Sequence, residues 1–340
     1  MAISSRGGGR ALRVGIAGGS GLQARELAAL LPDSALAGQG GPVLRFFAPW
    51  AGTGRGAAPG APPATETERH LGDVGGEAVV LEPLTAENLE GLDAVFFAGT
   101  AAETRAVAPL ARAAGILAVD LTSALAGDGP GRIRVPHPAA QALAAVLPVL
   151  AELGVARTAA TVFEPASERG MAGIEELRDQ SLRLLAARSL PTQVFGGQIA
   201  YNLRVELGEQ ARPALAEVAA AVAEDLRALA AAAGFALPAL HLLQAPVFHA
   251  HLVSLQAEWE RPPAPDVLLA ALRAAPVAFC EPGEPQPEAT GTAGENGVRL
   301  GAPQADLLRS GVFWLPLSAD NLRLRAAAAA HLAARALGRV

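Results

Sequence analysis

RVGIAGGSGLQARELAALL, residues 13–31, is the stretch from which the fold is read. Ala11–Ala17 is a short apolar run suited to a buried strand. Gly18, Gly19, Ser20 and Gly21 follow at once, and Leu22–Leu31 then has helical periodicity. Strand, glycine turn and helix in this order form the first unit of a nucleotide-binding sheet. Gly18 and Gly21 fit the first two glycines of a G-x-x-G-x-x-G loop, with Ala24 at the third place. Glycine lets the backbone approach a pyrophosphate, which then sits at the helix N-terminus. The same turn also serves as a tight connection with no ligand.

Outward from this unit, Val43–Ala48 reads as a second strand. No acidic residue follows it to read a ribose, so nothing selects NAD. Arg55 either meets a 2′-phosphate or is a solvated loop residue, and Ala57–Thr67 is a Pro/Gly/Ala-rich surface loop. Ala78–Leu81, Leu92–Ala98 and Ile116–Leu121 are strands, and Glu103–Ala114 is a helix. Such alternation predicts a parallel sheet covered on both faces. Thr122–Arg134 reads as a loop that closes this domain.

The second part changes character. Ala139–Leu153 reads as one helix, Val155–Phe163 as a strand, Met171–Leu190 as a helix, and Pro213–Ala233 as a long helix with Pro at its first position. His241–Phe248, His251–Glu258, Val277–Cys280 and Val312–Leu317 read as strands, and Asn321–Leu337 as a helix capped by Asp320 or Ser318. The expected fold class is therefore a Rossmann-type α/β domain followed by an α+β domain with a mostly antiparallel sheet. The expected boundaries are a flexible tail at 1–10, the nucleotide domain at 11–134, an α+β catalytic or dimerisation domain at 135–317, and a terminal helix at 318–340 that returns to the first domain. A sheet face of this kind commonly pairs subunits, which predicts a homodimer.

Composition narrows the chemistry. All 27 basic residues are Arg, so Schiff-base lysine chemistry is excluded. A net charge of −6 with scattered Arg argues against nucleic-acid binding. The single cysteine, Cys280, excludes an internal disulfide, fits a reducing cytoplasm, and reads as a buried strand-end residue. No run of about 18 uncharged apolar residues occurs, so no membrane span is expected. Trp50, Trp259 and Trp314 read as packing or interface residues.

Several segments together resemble the aspartate-semialdehyde dehydrogenase family. They are residues 13–31, LDAVFFAGTAAETRAVAPLARAAGILAVDLTSAL (92–125), VARTAATVFEPASERGMAGIEEL (155–177), QIAYNL (198–203), QAPVFHAH (244–251) and SADNLRLRAAAAAHLAARAL (318–337). QAPVFHAH with the Glu-x-x-Arg-Pro of Glu258–Pro262 is most similar to the Usg-like branch, whose members lack the nucleophilic cysteine. The resemblance implies a chemistry in which a thiolate adds to an aldehyde, hydride leaves to NADP, and phosphate attacks the thioester. It places the nucleophile at His137 or its neighbour Pro138, the orienting Gln at Glu164, the substrate Arg at Gln244, the phosphate Arg at Ala126, and the phosphate Lys near Ala220. His251 stands at the proton-transferring His and Glu217 at the acid facing the substrate amine. The implied contacts to NADP or NAD are Gly18, Ser20, Gly21, Leu22, Gly99 and Asn321.

Loss of the thiol and of both anion-gripping Arg positions predicts a homologue without the family reaction. An active oxidoreductase on another carbonyl, with His251 as the acid, is the first alternative. A metal site is the second: His249 and His251, read as lying on one strand face, join His137 and Glu164. Pairing with an active dehydrogenase would make the chain a regulator. Glu217 also reads as a helix first-turn acid, and Asp320 as a cap.

Overall fold

A computed structural model of the chain describes residues 10–19, 21–37, 41–48, 70–127 and 129–340. Ser20, Trp50, Arg55 and the loop 57–67 lie outside these. The chain divides into two units, one comprising the residues through Val135 with Arg325–Val340, the other Pro136–Leu324.

The first unit holds β1 (Arg13–Ala17), α1 (Leu22–Leu30), β2 (Val43–Phe47), β3 (His70–Val74), β4 (Glu77–Glu82), α2 (Ala86–Leu89), β5 (Ala94–Phe97), α3 (Ala101–Ala113), β6 (Leu117–Asp120) and β7 (Arg132–Arg134). The described sheet runs β3-β4-β2-β1-β5-β6-β7. Every neighbouring pair in it is parallel except β3 with β4. The central strands β5 and β6 are buried along their whole length, as a parallel sheet covered on both faces requires. Val14, Ile16 and Phe96 share one core with Ala326, Ala329 and Ala333 of the last helix. Phe47, Val95 and Phe97 pack with Val107 and Ala111 in a second core. Two strands of this sheet escaped the sequence reading, as did β-structure at Val298–Leu300 and Gln304–Ala305 in the second unit. The first, β3, is a short hairpin partner of β4. The second, β7, lies inside the segment read as a loop, because Gly127–Gly131 dominates its composition.

The second unit holds α4 (Pro138–Ala144), α5 (Leu147–Glu152), β8 (Arg157–Glu164), α6 (Gly170–Leu185), α7 (Leu215–Ala233), β9 (Ala239–Gln244), β10 (His251–Glu258), α8 (Pro265–Ala274), β11 (Ala278–Phe279), α9 (Ala289–Thr292), β12 (Val298–Leu300), β13 (Gln304–Ala305) and β14 (Val312–Ala319). The final helix, α10 (Asn321–Ala336), has its first turn counted here and the rest with the first unit. The second sheet runs β11-β12-β14-β10-β8-β9, with β13 also on β14. Four of its pairings, β10 with β14, β10 with β8, β12 with β14 and β13 with β14, are antiparallel, while β8 with β9 and β11 with β12 are parallel.

Three helices differ from their expected bounds. The helix read over 139–153 is broken between α4 and α5, where Pro148 can only be accommodated in a new first turn. The helix read from Pro213 begins at Leu215, after Ala214 in extended conformation. The helix read to Leu190 stops at Leu185, and Ala187 has a positive φ of 50°. The strand read to Phe248 ends at Gln244.

Of the two expected caps for α10, Asp320 is the one used. Its Oδ1 accepts from the backbone N–H groups of Leu322 (2.9 Å) and Arg323 (3.0 Å), and its Oδ2 from Gly294 N–H (2.7 Å). Ser318 instead shares a hydrogen bond with Thr292. Asp320→Ala leaves these donors without their acceptor and is expected to cost about 2 kcal/mol, the upper end for a lost cap. Urea unfolding checks it; a loss below about 0.5 kcal/mol would mean that water replaces the carboxylate.

Candidate functional site

β10 alternates buried and half-buried along its length, so His251, Val253, Leu255 and Ala257 share the inward face. Ala160, Val162 and Glu164 do the same on β8. The registered pair Leu252–Phe163 is the last of the β8–β10 ladder, which sets His251 across from Glu164 one step further. Glu164 is paired with Gln244 of β9 on its other side. A core-facing polar row, Gln244–Glu164–His251, therefore ends the sheet. His251 is 0% and Gln244 0% exposed, and Glu164 1%.

Within this row few polar atoms are satisfied. Gln244 Nε2 donates to the backbone oxygens of Glu164 (2.8 Å) and Ala245 (3.3 Å). Gln244 Oε1, Glu164 Oε2 and both ring nitrogens of His251 have no hydrogen-bond partner. His251 Nε2 lies 3.5 Å from Glu164 Oε2, long for a charge-assisted bond.

His137 enters from the start of α4, as its N-cap. Its Nδ1 accepts from Ala139 N–H at 3.2 Å, and its backbone N–H donates to the buried carboxylate of Asp225 on α7 at 2.8 Å. The ring sits edge-on to that of His251, with centroids 5.2 Å apart. Its Nε2 lies 3.7 Å from Glu168 Oε2.

Glu168 belongs to a 3₁₀ turn, Ala166–Arg169, that follows β8. Ala166 and Ser167 donate from their backbones to Val247 and Phe248, which ties this turn to the loop before β10. Asn321 Oδ1 accepts from Ser167 Oγ (3.0 Å) and Ala250 N–H (3.3 Å), and its Nδ2 donates to Glu168 Oε1 (2.9 Å). Arg169 also leaves this turn. Its Nη1 donates to Pro213 O at 2.8 Å and its guanidinium lies over the Phe195 ring. Burial lowers its pKa, while Glu164 and Glu168 pull it back up. It stays cationic, since an Arg pKa is far above neutrality.

The structure thus gathers His137, Glu164, Gln244, His251 and Asn321, all named from sequence. It does not gather two others. His249 is off the strand: β10 begins only at His251, and Ala250 adopts φ 68°, so the two imidazoles do not share a strand face. The expected four-residue metal set thereby loses His249. Glu217 is exposed and its carboxylate accepts from Ala214 N–H at 2.7 Å, as a helix first-turn acid does. Ala126 and Ala220 are exposed. Cys280 is buried at the end of the edge strand β11, with Arg299 Nη2 3.5 Å from its Sγ, and is not part of the row. Sequence reasoning missed Ser167, Glu168, Arg169 and Asp225. The first three stand beside Glu164 in a quoted motif and were open to notice; Asp225 gives no signal within a helix.

In the first unit, Gly18 has φ 139° and lies so close to β5's end that a Cβ would meet the backbone of Ala98 and Gly99 at 2.7 Å. Gly21 caps α1 at φ −62°, and Leu22 opens the helix. Ala17, Gly18, Phe97, Gly99 and Glu103 line a small hollow beside this turn. Among the described residues no helix is long and apolar enough to cross a membrane.

Residues 146–324 match the family described as semialdehyde dehydrogenase, dimerisation domain. The chain is 30% identical over 201 residues to a USG-1 protein homolog of Azotobacter vinelandii, a match covering 54% of this chain and 60% of that one. It thus spans less than two thirds of that relative's length. Its fold is that of a probable aspartate-semialdehyde dehydrogenase from Pseudomonas aeruginosa, with TM-score 0.78 and 23% identity over 96% of this chain and 98% of the other. A more distant likeness, TM-score 0.58 at 14% identity over 97% and 100% of the two chains, is to aspartate semialdehyde dehydrogenase with NADP from Candida albicans.

Proposed function

Because the chain belongs to the semialdehyde dehydrogenase family, we propose that it keeps a nucleotide-binding unit and no longer performs the thiol-dependent oxidation of aspartate semialdehyde. The observation that carries this reading is His137. At the helix start where the resemblance sets the nucleophilic cysteine stands an imidazole, with Nδ1 accepting from Ala139 and its backbone N–H given to Asp225. Imidazole is a poor covalent partner for an adduct that must yield hydride. Ser167 does not replace the thiol, since its hydroxyl donates to Asn321. Gln244 spends its amide nitrogen on two backbone carbonyls, so it does not supply the bidentate grip an Arg gives a carboxylate. Two buried carboxylates, Glu164 and Glu168, further disfavour an acidic substrate and phosphate.

The glycine turn fits a dinucleotide. Gly18, Gly21, Leu22 and Gly99 would hold the pyrophosphate of NADP or NAD at the nine-residue helix α1, where unpaired N–H groups favour an anion. That cofactor's chemistry is hydride acceptance. The second sheet would pair two copies into a homodimer. NADP with aspartate semialdehyde and phosphate, followed by nicotinamide absorbance, is expected to show no turnover above the protein-free blank. A rate on the order of 10 per second, typical of enzymes, overturns the reading.

A further inference from the structure

His251 is 0% exposed and neither of its ring nitrogens has a hydrogen-bond partner. Glu164 Oε2, equally buried, has none either. Each such group left without a partner costs about 1–3 kcal/mol. Native interiors satisfy buried polar groups, and an exception calls for something that completes it. A direct proton-sharing contact does not, because 3.5 Å separates His251 Nε2 from Glu164 Oε2 and His251 Nδ1 would still be left over.

One donor atom each from His137, Glu164 and His251 lies within 4.8 Å of the other two. Zinc bonds of about 2.0–2.1 Å in tetrahedral geometry put two ligand atoms about 3.3 Å apart. The His251–Glu164 separation of 3.5 Å meets that within a few tenths of an ångström, while His137, within 4.8 Å of both, has to close in by up to about 1.5 Å. The local charge agrees: Glu164 and the neighbouring Glu168 are both almost wholly buried, and two carboxylates in one place favour a cation. The donors come from a strand start, a strand end and a helix start, rigid elements that hold a site well.

We propose that His137, Glu164 and His251 bind a divalent transition-metal ion of the zinc class, leaving the fourth position to water or a small ligand. Two imidazoles and one carboxylate with an open position is a ligand set that zinc takes in catalytic sites. Asn321 fixes Glu168, whose Oε2 lies 3.7 Å from His137 Nε2 and adds negative charge beside the site. Binding through His137 Nε2 moves the ring proton to Nδ1 and gives up the 3.2 Å bond from Ala139 N–H. The inference rests on the reading of His137 as no nucleophile, since a ligated imidazole and a covalent catalyst exclude one another.

The test uses the full chain without an affinity His-tag, stripped by a chelator and titrated with ZnCl2 by calorimetry. One zinc per chain is expected, and cobalt(II) in its place should give the intense visible bands of a four-coordinate site. Glu164→Gln and His251→Gln should weaken zinc binding by more than about 100-fold, beyond what loss of an outer-shell partner costs, while His249→Ala leaves it unchanged. ¹⁵N-edited NMR of the His137 ring should show the proton moving to Nδ1 on zinc addition. Absence of zinc binding overturns the proposal and points to a bridging water at His251; so does binding that Glu164→Gln leaves intact. Should His251→Gln fail to fold, Glu164→Gln decides alone, its circular dichroism checked against the parent. Turnover of aspartate semialdehyde is read separately: turnover without zinc binding overturns both readings, turnover with zinc bound overturns only the lost reaction, and neither turnover nor zinc overturns only the metal site.

Discussion

Gln180→Leu is expected to destabilise the second unit by about 4 kcal/mol, a large loss of the kind that breaking a buried network produces. Gln180 lies on α6, is 0% exposed, and uses its whole amide. Oε1 accepts from the backbone N–H groups of Ile199 (2.8 Å) and Ala200 (3.1 Å). Nε2 donates to the carbonyls of Pro191 (2.8 Å) and Gly197 (3.0 Å). One turn earlier, Glu176 accepts from Val194 and Phe195 N–H at 2.7 and 3.1 Å. The two side chains together stand in for the strand that the segment 191–200 lacks. Leucine has similar volume and no polar atoms, so four backbone groups lose their partners at about 1–3 kcal/mol each. Partial opening to water returns some of that cost, but it also uncovers Phe195 and Ile199, which pack on Leu177. Those opposing terms set the estimate near 4 rather than 8.

The segment matters to the polar row. Arg204, just beyond it, exchanges both backbone hydrogen bonds with Gln244. A loosened 191–200 segment therefore frees the end of β9, where Gln244 flanks Glu164. Urea unfolding followed with hydrogen exchange at the Val194–Ala200 amides measures the effect. Gln180→Glu, which keeps the acceptors and loses the donors, should fall between leucine and the parent. A leucine variant within about 1 kcal/mol of the parent would show the network to be replaceable by water.

How far this molecule is legible from its residues follows from where each signal is local. The strand–glycine–helix unit at residues 13–31 is a short-range pattern, and the structure has it as β1, a turn and α1. Inward positions on β8 and β10 follow from a period of two, which is why His251 and Glu164 face the same core. His249 lies off the strand because Ala250 adopts a left-handed φ, and a left-handed alanine leaves no mark in the sequence as a glycine would. The roles of Gln180 and Asp225 leave no local mark, since nothing near them in sequence says that a distant loop or helix start needs their oxygens. The helix break before α5 does carry a local mark, Pro148 in the new first turn.

Gly18→Ala is expected to destabilise the first unit by about 3–4 kcal/mol and to abolish dinucleotide binding. Two independent costs add. At φ 139° an L-residue is strained, worth about 1–3 kcal/mol. The new methyl also meets Ala98 C and Gly99 N at 2.7 Å, and these are backbone atoms that cannot rotate away. Overpacking of this kind costs about 1–3 kcal/mol more. Relief requires the turn to move off β5, which shifts Gly21 and the start of α1, where the pyrophosphate would sit. Gly21→Ala is the contrast. Its φ of −62° suits any residue, and its Cβ would meet only Gly18 O, at 3.2 Å. That variant should lose no more than about 1 kcal/mol, the usual difference when a helix N-cap becomes Ala. Thermal unfolding gives the stabilities, and calorimetry with NADP and with NAD gives the binding. If Gly18→Ala folds and binds like the parent, the turn is not the dinucleotide site. If Gly21→Ala loses binding while keeping its stability, the backbone at Gly21 approaches the cofactor too closely for even one methyl, and the helix N-terminus is then the contact that holds it.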